Sequence, residues 1–429
     1  MTTAPSGVLV VMERTGHPPD ELRALSRLAA DEVGGGAGGI GSVHDAIARR
    51  VFGALGPSAR PVQVAHDTIA RGVYASLRGA ATVAGHAADQ ALRGREAAPL
   101  SSTPRGALAL GVLSGLQGDA LERAGSPLQH PMAVRVGGRA VTPEPAAVAA
   151  AFPDAAQRLV VFLHGLMETE HAWRLGGRES YGARLARDLG CTPVEVRYNT
   201  GRHISRNGRA LADVLEALTA AWPVEPEQIA LVGHSMGGLV ARSACHRAAE
   251  EGQAWVGHVR HVVSLGSPHL GAPLAQGVHY AAEALHAVPE TRPFGNFLRR
   301  RSAGIRDLRH GSLVDRDWEG RDPDALRAAA CEEIPLLPGA AHCFVTATLT
   351  RDERHPLARL VGDALVLPAS AAGRGRTRRI PFRAEDGLHV GAAHHLALLN
   401  HPAVYAQLRD WLGAAPSDRG GVAELDTHV

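Results

Sequence analysis

The clearest hydrophobic pattern in this chain is a set of short, uninterrupted apolar runs, each closed by glycine or by polar residues. Leu159-Val160-Val161-Phe162-Leu163 and Ile229-Ala230-Leu231-Val232 are of this kind, and the stretches from Pro193 to Tyr198, from His258 to Leu265 and from His342 to Leu349 resemble them. Runs this short and this continuous suit strands buried on both faces, as in parallel sheets. Between them the period changes. Leu211, Val214, Leu215 and Leu218, and then Leu239, Val240, Ala241 and Ala244, fall at helical spacing. Strands alternating with helices predict an α/β protein whose mostly parallel sheet is covered by helices on both faces. Met132–Val136 and Arg139–Thr142 flank Gly137-Gly138 and predict an antiparallel hairpin ahead of the parallel strands. Arg379-Ile380-Pro381-Phe382-Arg383 reads as an edge strand, and a last helix runs through Tyr405, Leu408 and Trp411.

The patterning also divides the chain. Residues 1–127 form an N-terminal helical region, with helical periods over Glu21–Val33, Ser42–Leu55, Val62–Arg78 and Arg105–Leu121. Breakers at Gly34-Gly35-Gly36, Gly56-Pro57, Pro61 and Pro99 separate them, and the stretch from Ala97 to Arg105 is where such a bundle would hinge. Leu110, Leu113 and Leu121 share a face of the last of these helices. The plain reading is a helical layer docked on the main domain; the sharper one is a module for a partner or a membrane surface, although its polar faces mix both charges. Residues 128–415 are long enough for an α/β domain, and 416–429 read as a disordered tail. Within the domain, 272–336 is too long for a connector. It carries Tyr280, Ala281, Leu285, Val288, Phe294, Phe297 and Leu298, and is read as a cap or lid over an apolar pocket, with a structural decoration as the alternative.

The run ending at Val232 leads directly into Gly233-His234-Ser235-Met236-Gly237, and a helical pattern starts at once behind it. G-x-S-x-G at a strand-to-helix turn is a nucleophile elbow. The glycines remove side chains that would collide at the tight turn, and the following amides point at the place where a carbonyl oxygen becomes negative. In a chain with 49 Gly the five-residue motif alone is weak, and the strand before and helix after give it its force.

Four further segments resemble lipase- and esterase-like members of the α/β-hydrolase superfamily. His164-Gly165-Leu166-Met167, after the run 159–163, is similar to the oxyanion loop of bacterial lipases, which implies the backbone amides of Leu166 and Met236 as oxyanion donors. Gly362-Asp363-Ala364-Leu365-Val366 is similar to the acid loop of these families, with Ala364 where glycine is usual, and implies Asp363 as the acid; Asp352 lies nearer the strand end and stays a candidate. Ala393-His394-His395-Leu396-Ala397-Leu398-Leu399 resembles the His-x-x-Leu-Leu ending and implies His395 as the base, with His394 and His401 as alternatives. Gly266-Ser267-Pro268-His269-Leu270-Gly271-Ala272-Pro273 matches a loop seen after the sixth strand of such hydrolases.

The resemblance implies an α/β-hydrolase fold, closest to bacterial lipases, the lecithin:cholesterol acyltransferase-like group and the GPI-inositol-deacylase-like hydrolases. It further implies hydrolysis of carboxylic esters through an acyl-serine, with neither metal nor cofactor. A small-molecule ester or a lipid would be the substrate. Acyl transfer to an alcohol, or ligand binding without catalysis on the same fold, are the other readings.

Composition changes this picture little. A formal net charge of +2 gives no field to attract nucleic acid. The arginine clusters Arg299–Arg301 and Arg374–Arg379 read as solvated faces, and Arg202 or His203, on a strand exit, as weak candidates for substrate contact. Cys191, Cys245, Cys331 and Cys343 show no C-x-x-C spacing, and Cys331 with Cys343 is an open disulfide pairing. The start lacks the basic segment and long apolar core of a signal peptide, so a cytoplasmic location is expected.

Overall fold

The computed structural model describes residues 20–32, positions scattered between 45 and 90, and 99–272, 301–322, 325, 331–352, 355–376 and 378–414. Its centre is a sheet of eight strands: β1 (Ala133–Val136), β2 (Arg139–Val141), β3 (Arg158–Leu163), β4 (Thr192–Arg197), β5 (Gln228–His234), β6 (Val259–Leu265), β7 (Ala341–Ala347) and β8 (Gly387–Val390). They lie in the order β2-β1-β4-β3-β5-β6-β7-β8. All neighbours from β4 to β8 are parallel, while β1 runs antiparallel to both β2 and β4.

Alternate side chains feed two separate cores, which is why the apolar runs are continuous. Leu159, Val161 and Leu163 of β3, with Ile229 and Leu231 of β5, face one layer. Val160, Phe162, Ala230 and Val232 face the other. On the first face pack α3 (Ile204–Ala220) and α4 (Met236–Glu251), through Leu211, Leu215, Leu218, Leu239 and Val240. On the second pack α2 (Tyr181–Leu189) and α5 (Pro402–Gly413), through Tyr181, Leu185, Leu408 and Trp411. Helix starts follow local chemistry: the Ser180 hydroxyl accepts from the Ala183 amide at 3.2 Å at the head of α2, and Gly190 ends that helix at φ 62°.

The helix α1 (Pro104–Arg123) begins at Thr103, whose hydroxyl caps the Gly106 amide at 3.1 Å, with Pro104 in the first turn. Leu110, Leu121 and Leu128 make a small core with Leu25 and Leu28 of the helix over 20–32. The stretch expected to hinge is pinned instead. Ser101 donates its hydroxyl to Glu21 at 3.0 Å, and Arg197 at the end of β4 donates to the Ser101 carbonyl at 2.7 Å. A line at 127/128 therefore cuts through packed surface. Apart from scattered positions, the helical periods over 42–55 and 62–78 lie outside the described residues, as do Tyr280 to Leu298 of the expected cap and the tail 416–429.

The edge strand is displaced from its expected place. Of Arg379–Arg383, only Arg379 makes an isolated bridge, with Arg374. Pro381 has no N–H to continue a ladder, and the Phe382 ring packs on Phe344, 5.5 Å between centroids. The edge falls to Gly387–Val390, which pairs in parallel with β7. Gly387 permits this approach, because a Cβ there would lie 2.5 Å from the Phe344 ring. Cys331 and Cys343 are not joined by a disulfide. Among the described residues no helix is long and apolar enough to cross a membrane.

Candidate active site

Ser235 sits at the turn between β5 and α4 with φ 52° and ψ −119°, a conformation that costs a non-glycine residue about 1–3 kcal/mol. The surroundings force it. A Cβ on Gly233 would lie 2.3 Å from the Gly237 backbone, and one on Gly237 would lie 2.3 Å from the Leu163 carbonyl oxygen. The Ser235 amide donates to the Leu265 carbonyl at 2.8 Å, fixing the turn against β6. The residue is 9% exposed.

The loop after β3 packs directly against this turn, since a Cβ on Gly165 would come within 3.0 Å of the Ser235 Cβ. His164 is fully buried and neutral by its bonding. Its Nδ1 pairs with the Gly165 carbonyl at 2.9 Å, its Nε2 accepts the Tyr198 amide at 3.3 Å, and its ring stacks on Tyr198 at 4.4 Å. Burial lowers its pKa accordingly. Met167 turns the loop at φ 62°, and its amide donates to the Thr200 hydroxyl at 3.3 Å. The amides of Leu166 and Met236 have no hydrogen-bond acceptor among the described residues, which leaves both N–H groups for a ligand oxygen.

Asp363 and His395 meet in the interior, 1% and 4% exposed. The His395 Nδ1 lies 2.7 Å from Asp363 Oδ2. The other carboxylate oxygen accepts the Leu365 and Val366 amides at 3.0 and 2.8 Å, and the His395 amide donates to the Asp363 carbonyl at 3.0 Å. Ala364 stands at φ 86°, where glycine is the easier residue. Asp352 is exposed near the end of β7, His394 is exposed, and His401 uses Nδ1 to accept the Ala403 amide at the start of α5. The Ser235 hydroxyl forms no hydrogen bond with the His395 ring among the described residues. Arg202 and His203 are held by protein partners: Arg202 pairs with Glu122 at 3.0 Å, and His203 bonds Asp307 at 3.0 Å and stacks on Trp318.

Two residues of this centre carry no motif in the sequence. Glu168 accepts the Gly165 amide at 2.7 Å and lies 3.0 Å from Nδ1 of His234, whose Nε2 is 3.2 Å from the His395 carbonyl oxygen. Burial acts against charge on both. Even so, the Glu168 carboxylate raises the pKa of His234, and His234 with the Gly165 amide lowers that of Glu168. Both shifts favour the charged forms of the pair. A signal existed, in that His234 fills the variable position before Ser235 and Glu168 follows the loop glycine by three residues, but such residues are equally common on solvated turns.

The N-terminal helix α1 reaches this region too. Gly111, Gly115 and Gly118 line its inner side. A Cβ on Gly111 would lie 3.0 Å from the Glu168 carbonyl, and one on Gly115 would lie 2.3 Å from the Met167 side chain. Ser114 donates to Asn199 and accepts the Thr200 amide, both at 3.0 Å, so α1 also orders the loop after β4.

A strained serine between strand and helix, in a parallel sheet with a carboxylate–histidine pair on later loops, defines the α/β-hydrolase fold. Residues 154–319 match the family described as PGAP1-like alpha/beta domain. The match takes in the loop after β3 and the turn at Ser235 and ends ahead of Asp363 and His395. No curated protein matches the chain. Among solved structures, it is similar to the mature lipase BlEst2 of Bacillus licheniformis, at 19% identity and TM-score 0.38, over 59% of this chain and 91% of that one. It is also similar to an esterase of Pyrobaculum calidifontis, at 16% identity and TM-score 0.34, over 60% and 76% of the two chains. A third likeness is to the thermostable carboxylesterase EstE1 from a metagenomic library, at 15% identity and TM-score 0.33, over 61% and 80%.

Proposed function

We propose that this protein is a serine hydrolase that cleaves carboxylic esters through an acyl-serine intermediate, with Ser235 as nucleophile, His395 as base and Asp363 as the acid that orients the base. The observation that carries this reading is the buried 2.7 Å contact between His395 Nδ1 and Asp363, on the loops beyond β8 and β7 of the sheet whose β5 presents Ser235. With Nδ1 occupied by the carboxylate, Nε2 is left to take the Ser235 proton. Substrate binding brings the serine hydroxyl and Nε2 into hydrogen-bond reach, as catalytic contacts commonly tighten only in the complex. Attack on the ester carbonyl gives a tetrahedral oxyanion, for which the amides of Leu166 and Met236 are the donors. Collapse expels the alkoxide, which takes the proton from His395. Water, deprotonated by His395, then releases the acid and restores Ser235.

The test is covalent labelling. A fluorophosphonate probe should modify Ser235 of the full-length protein, and p-nitrophenyl esters should be turned over. Ser235→Ala should lose the label and on the order of 10³-fold or more of kcat. Turnover unchanged in Ser235→Ala would remove the nucleophile and the reading with it.

A further inference from the structure

Resting on the serine-hydrolase reading above, we propose that His234 is a positioning residue: held by Glu168, it ties the oxyanion loop and the base loop to the nucleophile elbow. The geometry is a continuous chain of contacts through buried and part-buried groups, with the His234 side chain fully buried and that of Glu168 12% exposed. The Gly165 amide donates to Glu168 at 2.7 Å. His234 Nδ1 lies 3.0 Å from the same carboxylate, and its Nε2 lies 3.2 Å from the carbonyl oxygen of His395. Gly165 precedes the proposed oxyanion donor Leu166, His234 precedes Ser235, and the carbonyl belongs to the base itself. One imidazole therefore touches all three pieces that have to be in register for acyl transfer.

With Glu168 ionised, as its hydrogen bonds from His234 and the Gly165 amide favour, both acceptors on His234 are oxygens that lack a proton, a carboxylate and a peptide carbonyl. Satisfying both takes an N–H on each ring nitrogen, which only the imidazolium has. A neutral ring donates once, so deprotonation breaks the link to Glu168 or the link to His395. The charged groups that face the ring all come from the active-centre loops: Glu168 after β3, with the neutral His164 behind it, Asp363 after β7, and His395 after β8, whose ring centroid is 4.7 Å away. The carboxylates outweigh burial and raise the His234 pKa. Trp173, which meets the ring edge-on at 6.5 Å, closes the remaining side with an uncharged surface. Glu168 also keeps the imidazolium from repelling the positive charge that His395 acquires during the reaction.

This assigns the alkaline limb of activity to His234, since loss of its proton at high pH loosens the base loop. Glu168→Gln keeps the size of the side chain and removes its charge. In the full-length variant kcat should fall roughly 10–100-fold with KM for a small ester little changed. The alkaline limb should move down by about one pH unit while the acid limb stays. Nitrogen-15 NMR of the imidazoles gives a reading independent of turnover. Wild-type His234 should carry protons on both nitrogens at pH 7, and in Glu168→Gln only on one. Wild-type kcat and pH profile in a folded Glu168→Gln, or a neutral His234 in the wild type, would overturn the proposal. If the wild type neither reacts with the fluorophosphonate nor cleaves esters, the hydrolase reading fails separately, and the NMR result still decides whether His234 is the doubly bonded cation.

Discussion

Two carboxylate–histidine pairs are buried within a few ångströms of one another, and they differ in what the second ring nitrogen meets. His395 gives Nδ1 to Asp363 at 2.7 Å and has no protein hydrogen bond at Nε2 among the described residues. His234 gives Nδ1 to Glu168 at 3.0 Å and engages Nε2 with the His395 carbonyl at 3.2 Å. An imidazole with one nitrogen free can accept and return a proton. On the proposal above, one whose two nitrogens both donate to oxygens keeps its proton and only positions. Identical chemical groups thus suit a base in one place and a strut in the other, and the surrounding loops make the difference. The Asp363–His395 pair is assembled from loops at the far edge of the sheet, whereas His234 stands at the end of β5 beside the strained serine.

The sharpest way to break this comparison is at the acids. Asp363→Asn keeps the shape but favours the wrong tautomer of His395, and should lower kcat by about 10⁴-fold. Asp352→Asn, on an exposed loop, should leave kcat within a factor of about two. Steady-state ester hydrolysis by the two variants checks this, and the reverse ranking would move the acid to Asp352. Glu168→Gln, with its smaller expected loss, belongs between them.

A milder perturbation comes from outside the sheet. Gly115→Val would place side-chain atoms where the Met167 side chain now lies, since even a Cβ comes to 2.3 Å. Displacing the oxyanion loop should reduce kcat by roughly 10-fold. The exposed Leu116→Ala on the same helix should change nothing measurable. Equal activities in the two variants would mean that α1 only decorates the core. For the same reason a chain beginning at Leu128 should be poorly soluble, because its loss uncovers Leu128 and the loops at Met167 and Asn199. Recovery of a soluble, active protein from that truncation would restore 1–127 as a separable region.

The smallest effect is on stability. Glu168 titrates below an ordinary glutamate, so its contribution is present above the ordinary glutamate pKa and is lost as pH falls through the lowered value. His234 titrates above an ordinary histidine, so its contribution is complete below the ordinary histidine pKa and is lost as pH rises through the raised one. The difference in melting temperature between wild type and Glu168→Gln should therefore be largest between those two ordinary values and narrow on either side. A difference independent of pH would assign the pair a packing role alone.

Residue types and their spacing were enough to locate the parallel sheet, the hairpin and the elbow. These rest on local rules: continuous apolar runs for strands buried on both faces, a steric demand for glycine at Gly233 and Gly237, and a helix that starts behind Ser235. The choice between Asp363 and Asp352 was open at that level, because both follow the same strand, and only the folded loop puts one carboxylate 2.7 Å from His395. Arg379–Arg383 has strand-like composition, yet Pro381 and the packing of Phe382 hand the edge to Gly387–Val390. The N-terminal helices could be read as a docked layer or as a separate module, since amphipathic spacing tells which face is apolar and not what it meets. Glu168 and His234 could not be told from ordinary turn residues for the same reason. Each is an ordinary polar residue on a turn until the fold buries it, and burial, by removing water, obliges the two to find each other.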